Sequence, residues 1–294
     1  MRCDIAVDNM RIRYPVLHKR HRALPKFHFS CLTDTQALDG AIHLVTVDGA
    51  KYIHKLIHRT SYYPPDSQHI IDEIDAYLQF RGTPHIAQIA GLVVSEYPYR
   101  THPATPEKPV NKAEVIVGFL LPFYAGGSLW SLTNNPMKFA EAMAKHRAQG
   151  RFFPGPQTPL LKWARQIAAA LQSMHGAGKP HMDVKPANVV LDGQNNAVLI
   201  DISGLAGWTY EYLSPEMSEI VEDDREIDIM AIPIHVRVQN DCWAYGMILD
   251  ALARAAADIG GEDVELVRGV AACMMRCKAE ARISLEDALA MLVQ

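Results

Sequence analysis

Apolar and polar positions alternate in three short runs near the start of the chain, Phe27–Leu32, Ile42–Val47 and Tyr52–Ile57, which predict β-strands. Asp48-Gly49, between the second and third runs, is a tight-hairpin signal. The period then changes. Over Ser67–Phe80, Ile70, Ile71, Ile74, Tyr77 and Leu78 recur at helical spacing and predict an amphipathic helix. Glu73 borders its apolar stripe, whereas Asp72 and Asp75 project to the other side. Two further strands are expected over Ile86–Ser95 and Glu114–Leu121, flanking a polar, proline-rich stretch, Tyr97–Lys112, that reads as an inserted loop.

After Ala125-Gly126-Gly127 the pattern becomes helical. Thr158-Pro159 suits an N-cap and first turn, and opens a helix with Leu161, Ala164, Ile167, Ala168, Leu171 and Met174 on one face. A hairpin is predicted from Val189–Leu191, the turn Asp192–Asn196 and Ala197–Ile200. Helices are expected over Asp241–Ala257, over Asp263–Met274 and from Leu285. Residues 1–25 mix basic and apolar side chains without a period and read as an extension. A small β-rich half therefore precedes a larger helical one, an α+β arrangement in which a cleft between halves is a frequent ligand site.

Composition narrows the classes. The 294 residues carry a net charge of -4, which disfavours bulk electrostatic binding of nucleic acid. The first residues lack a basic stretch followed by an apolar core, so no secretory signal is expected. No run approaches the ~18 apolar residues of a membrane span. Cys3, Cys31, Cys242, Cys273 and Cys277 show no paired-motif spacing. Cys273 and Cys277 would share a helix face, but nothing completes a metal site, so they read as buried small apolar residues in a reducing, intracellular setting, with the cytoplasm as default.

The chemistry concentrates in His181-Met182-Asp183-Val184-Lys185-Pro186-Ala187-Asn188 and, after the hairpin, Asp201-Ile202-Ser203-Gly204. Phosphoryl transfer needs one carboxylate to aim a hydroxyl, and oxygen ligands to hold Mg²⁺ across phosphates. The segment resembles the catalytic loop and metal-binding motif of the eukaryotic protein-kinase family. Leu213-Ser214-Pro215-Glu216 resembles that family's A-P-E motif, and Asp241-Cys242-Trp243-Ala244-Tyr245-Gly246 its D-x-W-x-x-G motif. The resemblance implies one bilobal kinase domain, with a β-rich N-lobe at 26–122 and a helical C-lobe at 123–294, following the extension at 1–25.

It further implies ATP and Mg²⁺ as cofactors and transfer of the γ-phosphate to a protein Ser/Thr hydroxyl; from the charge and the apolar runs above, neither nucleic acid nor membrane is expected as partner. Asp183 would be the catalytic base, Lys185 would neutralise the transferring phosphoryl, and Asn188 and Asp201 would hold the metal. Lys55, where the family has V-A-I-K, would contact the α/β-phosphates and pair with Glu73. Leu121 would be the gatekeeper, the Pro122 carbonyl and the Tyr124 amide or carbonyl would face adenine, and Ile53 and Val190 would sandwich it. Asp241 would tie down the catalytic loop, and Glu216 would pair with Arg282.

The sequence departs from the family at identifiable places. Thr33–Gly40, the candidate phosphate loop, has one glycine and no G-x-G-x-x-G, and Asp34 and Asp39 would repel phosphates. Ile53 is larger than the usual alanine. Ile202 and Ser203 replace the D-F-G phenylalanine and glycine, and Met182 replaces an arginine that in many kinases receives a phosphorylated activation loop. Asp201–Glu216 is only 16 residues long, so activity is not expected to depend on phosphorylation there. Two alternatives stand beside the kinase: a pseudokinase scaffold, supported by the missing glycines, and a small-molecule kinase, opposed by Glu216, Asp241 and Trp243.

Overall fold

The strand segments in the first 122 residues are covered to different degrees, from Val115–Leu121, buried throughout, to Thr33–Asp39, exposed throughout. The computed structural model describes residues 12–57, 62–97, 114–149, 158–205, 207–224 and 227–293. Most of the stretch expected to be an inserted loop lies outside them. Two compact units are present: Met1–Arg81 with Gln88–Phe123, and Gly82–Ala87 with Tyr124–Gln294.

The first unit is a six-stranded sheet with one long helix. Its strands are β1 (Lys26–His28), β2 (Thr33–Asp39), β3 (Ile42–Val47), β4 (Ala50–Leu56), β5 (Gly91–Glu96) and β6 (Glu114–Pro122), in the order β1-β5-β6-β4-β3-β2. β3 and β4 meet at Asp48-Gly49, both at positive φ, as the hairpin signal requires. Helix α1 (Asp66–Gln79) buries Ile71, Ile74 and Tyr77 of the predicted stripe, with Ala76 beside them, and leaves Ile70 and Leu78 partly covered.

Two local expectations are corrected. Phe27–Leu32 is not one strand: β1 stops at His28, whose ring accepts from Ser30 N, and a 3₁₀ turn follows. Thr33–Gly40 is not a loop: Thr33–Asp39 is edge strand β2, antiparallel to β3, and the chain turns at Gly40-Ala41. Every β2 residue is exposed, so neither face imposes an apolar alternation that the sequence could reveal. Residues 12–25 pack into this unit: Ile12, Tyr14 and Leu24 are buried, and Pro15 O accepts from Ile116 N.

The second unit is mostly helical. It contains α2 (Leu129–Thr133), α3 (Pro136–Gln149), α4 (Pro159–Gly176), the hairpin β7 (Val189–Leu191) and β8 (Ala197–Leu199), α5 (Pro215–Asp223), α6 (Ile234–Ala255), α7 (Glu262–Met274) and α8 (Leu285–Val293). Trp163, Ile167, Leu171 and Met174 of α4 are buried with Ile248, Leu249 and Leu252 of α6. Thr158 has the extended N-cap backbone, but its hydroxyl makes no cap hydrogen bond. Ile86, expected to open a strand of the large sheet, instead bridges Leu199 in this unit, and β5 begins only at Gly91. Cys242 is buried, but Cys277 is exposed and lies past the end of α7, correcting the shared buried face expected with Cys273. No helix among the described residues is long and apolar enough to cross a membrane.

One buried group in the sheet creates a pH dependence. His54 of β4 is 1% exposed, faces the rings of Phe29 and His43, and has no partner for Nε2 among the described residues. Gly118 makes room for it, since a Cβ there would sit 2.6 Å from Nε2. Burial, and secondarily His43, lowers the His54 pKa to about 4. The unfolded chain, with an ordinary imidazole, therefore binds the proton first as pH falls. This position's contribution to stability is complete above pH 6.5 and declines by roughly 3 kcal/mol towards pH 4. Denaturant titrations at several pH values should show the decline, and His54→Leu should flatten it. A variant profile as steep as the parent's would contradict this assignment.

Candidate active site

The first unit assembles an ion pair. Lys55 lies on β4 opposite Phe119 of β6, and the Phe119 ring packs against Tyr77 of α1 at 5.8 Å between centroids. Glu73 lies one helical turn before Tyr77, so this contact sets its height against Lys55. Lys55 Nζ donates to Glu73 Oε1 at 2.7 Å, with the two side chains 15% and 11% exposed. At that burial the pair is screened far less than a surface one. Ile53 is paired across the sheet with Leu121, and Tyr52 with Pro122. Leu121 is buried, and Ile53 and Pro122 are partly covered.

The second unit holds Asp183, Lys185, Asn188, Val190, Asp201 and Tyr124. Val190 is half-buried on β7, bridged to Ser128, and the half-buried Tyr124 closes a turn by accepting from Gly127 N at 3.1 Å. The loop carrying Asp183 is shaped from below by Asp241 of α6, which is fully buried. One oxygen accepts from Met182 N at 2.8 Å; the other accepts from His181 N at 2.7 Å and faces His175 Nε2 at 2.8 Å. Met182 is held at φ +69, a conformation that disfavours side chains. The Asp241 bonds, and burial of the Met182 side chain in a cluster with Leu213, Met217, Val221, Ile229 and Ile232, offset that cost.

His181 links this loop to the Asp201 segment. Its Nδ1 accepts from Asp183 N at 3.3 Å, so Nε2 carries the hydrogen and donates to Ile200 O at 2.9 Å. Ile200 N donates in turn to Asn188 O. Asp201 follows at φ +61, a second strained residue. Gly204, at φ +70, lies so close to Pro180 that a Cβ would come within 2.5 Å of the carbonyl oxygen, which restricts this position to glycine. Ile202 is fully buried, and Ser203 Oγ accepts from Leu205 N.

The Asp183 carboxylate is surrounded by donors. Oδ2 accepts from Lys185 Nζ at 2.7 Å and from Asn188 Nδ2 at 2.9 Å; Oδ1 accepts from the Thr209 hydroxyl at 2.7 Å. Thr209 also accepts from Lys185 Nζ at 2.8 Å. Sequence reasoning missed Thr209. The only available cue was a hydroxyl residue shortly before Leu213-Ser214-Pro215-Glu216. Asn188 Nδ2 also donates to Asp183 O, so the amide is oriented by two acceptors and its Oδ1 is turned away from the carboxylate.

The expected Glu216–Arg282 pair is present as a two-pronged contact, Nη2 to Oε2 at 2.7 Å and Nη1 to Oε1. The Arg282 guanidinium also lies over the Trp243 ring at 5.1 Å. Burial raises the Glu216 carboxyl pKa, but the Arg282 hydrogen bonds, a backbone hydrogen bond, the Arg282 charge and Ser214 together outweigh it and leave the net value below the ordinary range.

Asp241 is the least replaceable of these groups. Asp241→Asn would set an amide donor against N–H groups, or leave one of them unpaired, and should cost about 3 kcal/mol of unfolding free energy. Urea unfolding measures it; a loss below about 1 kcal/mol would show that the loop does not depend on this carboxylate.

No protein-family model matches the chain. It is 37% identical to serine/threonine-protein kinase PknD of Mycobacterium tuberculosis over 93 residues, covering 26% of this chain and 14% of that protein. It is 23% identical to serine/threonine-protein kinase 16 of Mus musculus, covering 45% and 43%. It is 25% identical to a probable cAMP-dependent protein kinase catalytic subunit of Encephalitozoon cuniculi, covering 54% and 48%. The matched stretches thus span less than half of each relative's length. The chain is thus similar to Ser/Thr protein kinases over part of its length, and these relatives, with the six-stranded sheet of the first unit and the helices of the second, support a protein-kinase-like superfamily and an α+β fold of that kind.

Proposed function

We propose that this chain transfers the γ-phosphate of ATP to a Ser or Thr hydroxyl on a protein. The observation that carries the reading is the Thr209 hydroxyl, held between the Asp183 carboxylate and the Lys185 ammonium. A carboxylate and an ammonium that cradle one hydroxyl can cradle another. In the proposed step the substrate oxygen forms a bond to the γ-phosphorus, the bond to the β-phosphate oxygen breaks, and ADP leaves. The substrate hydroxyl proton passes to Asp183 Oδ1 as the new bond forms, and Lys185 offsets charge on the transferring group. Lys55, kept in place by Glu73, would neutralise the α/β-phosphates.

Asn188 and Asp201 would hold Mg²⁺, and the donor set fits that ion. Both offer oxygen, and Asn188 turns its Oδ1 outward because its nitrogen is committed to Asp183. No group of three or more His, Cys, Asp or Glu side chains suited to a metal occurs among the described residues. A site of few protein ligands suits Mg²⁺, which keeps waters and phosphate oxygens in its shell. The ion would supply charge neutralisation across the phosphates.

A second reading, a kinase-shaped binding module, draws on β2: it presents Asp34 and Asp39 in an exposed strand at the place of a glycine-rich phosphate loop. The test is transfer of labelled phosphate from ATP to a generic basic protein, with thermal shift in ATP and Mg²⁺ beside it. Asp183→Ala should lower transfer by about 10²–10⁴-fold while retaining the nucleotide shift. Asp201→Ala should remove the Mg²⁺-dependent part of the shift. Binding without transfer in the parent protein would decide for the module; transfer to metabolites alone would decide for a small-molecule kinase.

Regulation of the short segment is part of this reading. Met182, buried with Leu213 and Met217, leaves the loop no arginine at that position for a phosphate to engage. Phosphatase treatment should leave transfer unchanged; loss of activity together with a phosphate mapped to 202–215 would contradict it.

A further inference from the structure

A helix that presents one side chain inward must be fixed against rotation about its own axis, because a turn of one residue moves that side chain by about 100°. α1 is fixed on its inner side by the Lys55–Glu73 pair and the Tyr77–Phe119 contact. The outer side is held by a segment that none of the kinase motifs includes. Asp75, two residues past Glu73 and therefore on nearly the opposite face, accepts from Arg20 Nη2 at 2.6 Å and faces His21 Nε2 at 2.9 Å. His21 is fully buried, although its sequence neighbours are exposed. At the start of the helix, Arg13 N donates to the Tyr62 hydroxyl at 3.4 Å, and that hydroxyl lies 3.1 Å from Ser67 Oγ. Between these points Ile70 packs against the apolar cluster that contains Ile12 and Tyr14.

The same segment is tied to the sheet. Pro15 O accepts from Ile116 N, Pro25 O accepts from Leu92 N, and β1 then pairs in parallel with β5. Residues 12–28 therefore run as a strap tied to β6 at Pro15 and Val16 and to β5 from Pro25 onward, with Arg20 and His21 between these points held on α1.

We infer that residues 12–28 form an intramolecular strap whose His21 and Arg20, through Asp75, are positioning residues for Glu73 and so for Lys55. The phosphate-binding role of Lys55 rests on the proposed kinase reading; the coupling between strap and ion pair does not. Asp75→Asn or His21→Leu should free α1 to turn, expose Lys55 and loosen the helix while the sheet stays intact.

Three measurements on the full chain test this. Amide hydrogen exchange over residues 70–79 should accelerate in both variants. Acetic anhydride labelling of Lys55, read by peptide mass spectrometry against exposed Lys51, should rise several-fold towards the level of Glu73→Gln. Asp75→Asn should add little to Lys55 labelling once Glu73→Gln is present, a non-additivity that general destabilisation would not produce. Should His21→Leu fail to fold, Arg20→Ala, altering an exposed member of the clamp, carries the same expectation at smaller size. Unchanged exchange and labelling in folded variants, or effects that add fully to Glu73→Gln, would overturn the strap. ATP binding and phosphate transfer, run in parallel, judge the kinase reading separately: a parent protein inert to ATP would refute that reading and leave the labelling results to decide the strap.

Discussion

The buried carboxylate of Asp241 is the constraint on which the loop geometry depends. It accepts from consecutive backbone amides, His181 and Met182, and hydrogen bonds to a charged acceptor contribute about 1.5–3 kcal/mol each. That is enough to hold Met182 at positive φ, which turns Asp183 towards Lys185, Asn188 and Thr209. From Asp183 the constraint passes through His181 to Ile200 and so to the strained backbone of Asp201. Strain of this kind persists only where surrounding bonds over-determine it, and here they do.

Much of the site was legible because its chemistry restricts residue type and spacing together. Asp183, Lys185 and Asn188 are close in sequence and converge through local backbone, so their cluster follows from the motif itself. Lys55 and Glu73 were legible as a pair through the resemblance together with the apolar period of α1, which fixed the face on which Glu73 lies. Thr209 was not legible: one threonine in a short irregular segment carries no pattern, and its meeting with Asp183 is made by tertiary folding.

The parts of the fold that escaped prediction share a physical cause. β2 is exposed on both faces, so no alternation marks it. α6 begins at Ile234, a full turn and more before the expected Asp241, because its first residues are exposed and the buried stripe starts late. The segment over residues 12–25 has no period because, apart from a 3₁₀ turn at Lys19–His21, it is neither helix nor long strand; Ile12 and Tyr14 are buried by long-range contacts with β6, Tyr62 and α1, while Val16, bridged to β6, stays exposed. Patterns report repeated local environments, and a strap visits a different environment at each residue.

These features bear on one another. A glycine-rich loop grips phosphates with many backbone amides, each contributing a small share. β2 offers no such cradle and carries Asp34 and Asp39. On the proposed reading, recognition of the triphosphate in the first unit then falls more heavily on the single ammonium of Lys55. A point charge is effective only where it is held, since a free lysine side chain loses about 2 kcal/mol of rotamer entropy when it is fixed. Glu73 provides that fixation, and Glu73 is no better placed than the helix that carries it. On these two readings the absence of a glycine-rich loop from Thr33–Gly40 and the strap on α1 bear on the same quantity, the placement of Lys55.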